Sequence, residues 1–155
     1  MLKRKSYSLN EAKKKLEFFC SYQERCHKEV EEKLKELGMI QSASQEIISQ
    51  LIQEDYLNET RFAKSFARGK FRIKNWGKIR ILRELKSRNI SEYNIKMGME
   101  ELTDAEYENS FNNLFEKIKE SVEYLPIEGQ KKKIYSYLYY RGWEHQKIYD
   151  ALNQL

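Results

Sequence analysis

The sequence predicts an all-α chain, a tandem array of three three-helix repeats, and three observations predict it. One proline and six glycines in 155 residues suit long helices joined by short turns. Apolar residues recur at three- and four-residue spacing along nearly the whole chain, and no strand signal matches them in quality. The third observation is internal likeness. Leu34-Lys35-Glu36-Leu37-Gly38, Leu85-Lys86-Ser87-Arg88-Asn89 and Leu138-Tyr139-Tyr140-Arg141-Gly142 each close an apolar helix with Leu, three mixed residues and Gly or Asn. Gly or Asn fits there because the residue that ends a helix often adopts a left-handed conformation. Helix–Gly–helix segments occur in any helical protein; recurrence at about fifty residues is what points to repeats. The expected units are 1–55, 56–102 and 103–155.

Each helix has its own signal. Leu16, Phe19 and Cys20 share one face of the first, and Val30, Leu34 and Leu37 a face of the second, which Gly38 ends. Ser42 and Gln45 offer a capping box before the stripe Ile47, Ile48, Leu51 and Ile52. Asn58 is placed to cap a helix carrying Phe62, Ala63, Phe66 and Ala67. Trp76, Ile79, Leu82 and Leu85 mark the next. Ser91 caps a sixth with Ile95, Met99 and Leu102 inward. Thr103 and Glu106 form a second capping box, opening a long helix through Phe111, Leu114, Phe115, Ile118 and Val122 that Pro126 breaks. Ile134, Tyr137 and Leu138 face inward from the eighth, and Ile148, Ala151 and Leu152 from the ninth.

Composition narrows function. Charged residues are 34% of the chain, above the usual share of about a quarter, which suits small or elongated modules with much surface per residue. No stretch approaches the roughly 18 uninterrupted apolar residues of a membrane span, and the basic start, Met1-Leu2-Lys3-Arg4-Lys5, is followed by no apolar signal core, so a cytoplasmic protein is expected. Cys20 and Cys26 are too few for a disulfide framework, and with His27 and the distant His145 they match no zinc spacing. Neither a metal nor another cofactor is expected. Catalysis finds no support: there is no Walker-type loop, His-Glu-x-x-His or Gly-x-Ser-x-Gly, and the neighbouring pairs Glu31-Glu32 and Glu100-Glu101 diverge around a helix.

Charge distribution is the most informative feature. Residues 61–90 hold eleven of the 29 basic residues and one of the 24 acidic ones, a net +10, which leaves −5 on the rest of a chain of net +5. Such a field attracts phosphate backbones or an acidic protein surface and speeds encounter with either.

Within and beside this window the sequence resembles the RecX family. Tyr56-Leu57-Asn58-Glu59-Thr60-Arg61-Phe62-Ala63 is similar to the signature that opens that family's second repeat. Arg68-Gly69-Lys70-Phe71-Arg72 and Trp76-Gly77-Lys78-Ile79-Arg80-Ile81-Leu82-Arg83-Glu84-Leu85 resemble its basic stretch and Gly-x-x-x-Ile-x-x-Glu-Leu segment, and Asn89-Ile90-Ser91 stands where Lys-Gly-Ile is common. Gln23-Glu24-Arg25-Cys26-His27-Lys28-Glu29-Val30 resembles an upstream motif but departs from it: Gln23 and Cys26 stand where that motif is usually more basic and carries Ser or His. The resemblance covers residues 9–102, and repeat logic extends it to the rest.

The resemblance implies an elongated, curved helical array that binds the RecA–single-stranded DNA filament and inhibits or modulates its ATPase, recombinase and co-protease activities in DNA repair. It implies a non-enzymatic regulator whose partners are the RecA filament and, with low affinity and little sequence preference, single-stranded DNA. A monomer is expected, with no membrane partner. The candidate contact residues are Arg68, Lys70, Arg72, Lys74, Trp76, Lys78, Arg80 and Arg83. Arg68 and Arg72 share a helical face, as do Arg80 and Arg83, and the arginine fork suits phosphate or carboxylate. The competing reading of each is a solvated helix face, and Trp76 also reads as a junction anchor. Phe71, Tyr139, Tyr140 and Trp143 are further stacking candidates, and Lys131-Lys132-Lys133 is a second basic run. Two rival functions remain: a stand-alone helix-turn-helix-type DNA-binding module and a pure protein adaptor.

Overall fold

The structure, a computed structural model, describes residues 6–155; the basic residues 1–5 lie outside them. The described residues form nine helices and no strand: α1 (Leu9–Tyr22), α2 (His27–Glu36), α3 (Gln41–Gln53), α4 (Glu59–Arg72), α5 (Lys78–Ser87), α6 (Glu92–Met99), α7 (Asp104–Ser121), α8 (Ile127–Tyr140) and α9 (His145–Leu152). They pack as three consecutive triplets, each helix chiefly against members of its own triplet.

The repeated Leu-x-x-x-Gly/Asn pattern is a repeated helix ending. Gly38, Asn89 and Gly142 adopt φ of 78°, 57° and 87°. After each, the next amide reaches back to the leucine carbonyl: Met39 N to Leu34 O, Ile90 N to Leu85 O and Trp143 N to Leu138 O. This six-to-one bond satisfies a carbonyl that the helix end leaves orphaned. Leu34, Leu85 and Leu138 are fully buried, so one signal stops the helix and anchors it to the core.

Side-chain caps set four of the nine starts among the described residues. Asn58 accepts from Arg61 N, Ser91 from Asn94 N and Thr103 from Glu106 N, and Ser8 caps α1 in the same way. The expected Ser42 box does not form: α3 begins at Gln41 behind Ile40, which places Ser42 inside the first turn. Nor does α5 begin at Trp76. Its N-cap is Gly77, Ile79 is 45% exposed, and Ile81 takes the core position with Leu85. Ile52 is also exposed, and Ile47 and Leu51 carry the inner face of α3.

The core is divided unequally. Ala12, Leu16, Cys20, Val30, Leu34, Ile47, Leu51 and Leu57 form a cluster confined to the first triplet and the segment that leaves it. The second and third triplets share one larger core. At their boundary Trp143, only 1% exposed, packs against Tyr107 (ring centroids 4.6 Å apart), Phe111 (5.4 Å) and Phe71 (6.5 Å). Its indole Nε1 donates to Asn75 O at 3.0 Å, which gives a buried ring its one needed partner.

Beside the indole, α8 ends against the start of α5. Gly77 N donates to Arg141 O (2.8 Å) and Ile79 N to Gly142 O (3.0 Å). Orphan amides of one helix thus meet orphan carbonyls of another. A Cβ on Gly77 would stand 2.4 Å from Gly142 O, and one on Gly142 would stand 2.2 Å from Arg80 Cβ, so both glycines are needed for the approach. Lys78 N, the amide between, donates to the Tyr107 hydroxyl, which donates to Glu144 Oε1.

The junction of the first and second triplets is mostly polar. Glu59 Oε2 accepts from His27 N (3.0 Å), and Lys28 Nζ donates to Ser87 O. Arg61 pairs with Glu24 at 2.6 Å and Asp55 at 3.0 Å. Cys26 is fully buried and adds an apolar link from the start of α2 to the shared core.

Candidate functional site

The eight sequence-predicted residues all lie on α4, on α5 or between them, and the fold divides them into two groups. Arg68 and Arg72, one turn apart on α4, face the acidic segment that runs from the end of α6 into the first turn of α7. Arg68 pairs with Glu101 (2.9 Å) and Arg72 with Glu106 (3.4 Å). Lys78 stands 3.9 Å from Asp104 and 4.4 Å from the centre of the Tyr107 ring. These three cations are opposed by carboxylates of the chain itself, which reduces the field they offer to a ligand.

The second group forms a file in which rings and cations alternate. Arg88 lies 4.7 Å from the Phe66 ring centre and also pairs with Glu84 at 2.9 Å, so its charge is opposed within the chain. Lys70 lies 5.5 Å from Phe66 and 4.9 Å from Trp76. Arg80 lies 4.1 Å from Trp76 and 4.8 Å from Tyr140. Phe66 and Trp76 meet edge to face at 6.2 Å. Ring faces attract cations without neutralising them, so Lys70 and Arg80 are fixed while their charge is left to the outside. Arg80 also donates from Nη1 to Tyr140 O at 3.4 Å, while its buried Nε has no hydrogen-bond partner. Lys74 and Arg83 flank the file, exposed and without an ion pair among the described residues.

Beside the file runs an open groove of about 640 Å³ between the first and second triplets. Lys28, Lys70, Lys74 and Arg88 meet Glu24, Glu29, Glu32 and Glu84 along it. The mixed charge suits a polar protein surface better than a bare phosphate chain.

The aromatic candidates divide as well. Trp76 is half-buried and holds cations on its faces, so it joins packing to display. Phe71 and Trp143 are 3% and 1% exposed and are corrected from stacking candidates to core anchors. Tyr139 is exposed and stacks on Tyr135 at 5.4 Å, while Tyr140 ends the file. Lys131, Lys132 and Lys133 lie on α8, away from α4 and α5 in sequence and without an ion pair to an acidic group among the described residues.

Sequence reasoning missed two roles. Arg61 counts toward the basic window, yet it is a junction residue. Burial opposes its charge, but the Glu24 hydrogen bond and the Glu24 and Asp55 charges raise its pKa above the ordinary guanidinium value. Tyr107 reads as one more core aromatic, yet its hydroxyl relays between Lys78 N and Glu144. Burial and the bond to Glu144 push its pKa well above the usual phenol range, so it stays a neutral donor.

No group of three or more His, Cys, Asp or Glu among the described residues could hold a metal ion. Burial pushes the Cys20 thiol up to about 11 and the Cys26 thiol up to about 12. Cys26, at the N-cap of α2, accepts no capping hydrogen bond from the backbone; its thiol donates to Glu29 Oε1 at 3.2 Å. No helix of the described residues is long and apolar enough to cross a membrane.

With this geometry in place, comparison with known proteins is direct. Residues 58–99, which span α4–α6, match the family described as RecX, second three-helix domain. The chain is 28% identical over 138 residues to the regulatory protein RecX of Bacillus cytotoxicus, covering 88% of this chain and 51% of that protein. It is 26% identical over 137 residues to the RecX of Bacillus mycoides, with the same coverage. The chain therefore spans about half the length of the curated relatives it matches. The crystal structure of RecX from Lactobacillus salivarius superposes with a TM-score of 0.78 at 25% identity, covering 94% of both chains. A second crystal structure, of a regulatory protein RecX, superposes at 0.81 with 19% identity over 95% of this chain and 73% of that one, a likeness of fold.

Proposed function

We propose that this chain is a RecX-family regulatory protein that binds the RecA–single-stranded DNA filament in the cytoplasm and restrains its ATPase, recombinase and co-protease activities, a reading that its similarity to the RecX second three-helix domain and to RecX relatives supports. It acts as a monomer and by occupancy, without chemistry of its own. The observation that carries this reading is the ring-held pair Lys70 and Arg80, with the unpaired Lys74 and Arg83 beside them. Held cations lose little side-chain freedom on binding, which favours multipoint contact with a surface that presents both phosphates and carboxylates. Three triplets in a row let one small chain touch more than one filament subunit, and linked contacts raise avidity without a large interface per triplet.

The test is DNA-dependent ATP hydrolysis by the host's RecA, titrated with this protein and with an Arg80→Ala/Arg83→Ala variant. Inhibition that weakens in the variant supports both the function and the site. Equal inhibition by both removes the site. No inhibition by a folded wild-type protein removes the function and favours the stand-alone DNA-binding module.

A further inference from the structure

We propose that the first triplet carries a separate single-stranded DNA site, in the open groove between α1 and α2, where exposed rings stack bases and lysines hold phosphates. The proposal rests on the reading that the protein works on filaments bearing single-stranded DNA. It adds a surface in a repeat that lies outside the basic window of residues 61–90.

The first observation is a pair of rings with no packing role. Phe18 and Tyr22 are four residues apart on α1 and so share a face. They are 74% and 75% exposed. Neither meets another ring or carries a cation among the described residues, so their faces are open. The core of this triplet is filled by the opposite side of α1, through Ala12, Leu16 and Cys20.

The second observation is the charge around them. Phe18 and Tyr22 line a groove of about 1370 Å³ whose cations outnumber its acids, five against Glu32 and Glu36. Three of the cations are already engaged. Arg25 lies 3.7 Å from the Phe19 ring centre and pairs with Glu29, Lys33 pairs with Glu36, and Lys15 lies 5.2 Å from the Tyr7 ring centre. Lys14, Lys15 and Lys35 form no ion pair among the described residues.

Open rings flanked by unpaired lysines match the chemistry of single-stranded nucleic acid. Every base offers a π-face, so stacking tolerates sequence, while lysines follow the phosphates. An acidic peptide would satisfy the lysines but leave two separate, protruding rings without a partner of their own shape.

The experiment titrates the full chain against a labelled oligothymidylate and an abasic oligomer of the same length and charge. Wild type should bind the thymidylate more tightly than the abasic strand. Phe18→Ala/Tyr22→Ala should lose roughly fivefold or more of its thymidylate affinity and lose the preference between the strands. Lys14→Gln/Lys35→Gln should weaken both and lower the salt dependence by about 0.7 per lost phosphate contact. All four side chains are surface groups, and circular dichroism checks that the variants fold.

Wild-type thymidylate affinity in the ring variant would overturn the site and leave the filament reading standing. Binding of a labelled polyglutamate that the thymidylate cannot displace would overturn it too and give the groove to an acidic protein. RecA ATPase inhibition, measured on the same variants, reports the filament reading separately.

Discussion

The Trp143 indole Nε1 lies 3.0 Å from Asn75 O, a bond between residues of different triplets. Asn75 holds φ at 59°, and Trp143 follows Gly142 at 87°, so both partners sit on left-handed turns. Around them Gly77 and Ile79 take up the last carbonyls of α8. Two helix–helix turns, each ordinary alone, interlock at the boundary of the core that the second and third triplets share.

That lock should be costly to break. Trp143→Phe keeps a ring but leaves Asn75 O unpaired, a loss of about 1–3 kcal/mol. Trp143→Ala should lose about 3–5 kcal/mol. Gly142→Ala combines a left-handed φ with a backbone clash and should cost more than the roughly 1–2 kcal/mol of the φ alone. Urea unfolding measures all three. A Gly142→Ala protein as stable as wild type would contradict the interlock.

The first junction should respond differently because it is held mainly by charge. Arg61→Ala removes the partner of Glu24 and Asp55. Arg61 and Glu24 are partly exposed, so the expected loss is only about 1 kcal/mol. The local effect should be larger: faster hydrogen exchange at the start of α2, where His27 N meets Glu59, with the amides around Trp143 unchanged. Uniform acceleration across the chain would show that the junctions are not independent.

The two thiols make a prediction about pH. Burial raises Cys20 from 9.0 to about 11 and Cys26 from 9.0 to about 12, so the folded state holds these protons more tightly than the unfolded chain. Their contribution is complete below pH 9 and is lost as pH rises toward 11 and 12. Stability should therefore fall across that alkaline window, and less steeply in a Cys20→Ala/Cys26→Ala variant compared with its own neutral-pH stability. Alkylation at pH 8 should be slow until the chain is unfolded. Rapid alkylation of the folded protein would contradict the burial.

Local signals were legible in the sequence where one residue type answers one backbone need. Leu34-to-Gly38, Leu85-to-Asn89 and Leu138-to-Gly142 announced three equal helix endings because few residues tolerate a positive φ. Asn58, Ser91 and Thr103 announced caps for the same kind of reason. Ser42 misled because a good cap one turn from an apolar stripe says nothing about where the preceding turn delivers the chain. Ile79 misled because it and Ile81 both satisfy a helical period, and only the seat of α8 on Gly77 decides between them.

The basic window was legible as a quantity and not as a pattern. Its cations divide by distant partners: Glu101, Asp104 and Glu106 for one group, and Phe66, Trp76 and Tyr140 for the other. Neither set of partners can be assigned from spacing within residues 61–90. The outward placement of Phe18 and Tyr22 follows from the helical period, which sets them opposite Leu16 and Cys20 on α1, whereas the cations that α2 adds beside them, Lys33 and Lys35, needed the fold.

The central claim is that ring-held cations, rather than the carboxylate-paired ones, engage the filament. The most direct measurement is inhibition of RecA's DNA-dependent ATPase by two folded variants matched in charge removed: Lys70→Ala/Arg80→Ala/Arg83→Ala, and Arg68→Ala/Arg72→Ala/Lys78→Ala. The account predicts that the first loses at least roughly tenfold in inhibitory potency, as the loss of several charge-assisted contacts requires, while the second stays within a few-fold of wild type. Equal losses would show that net charge alone governs binding, and a larger loss in the second variant would contradict the assignment.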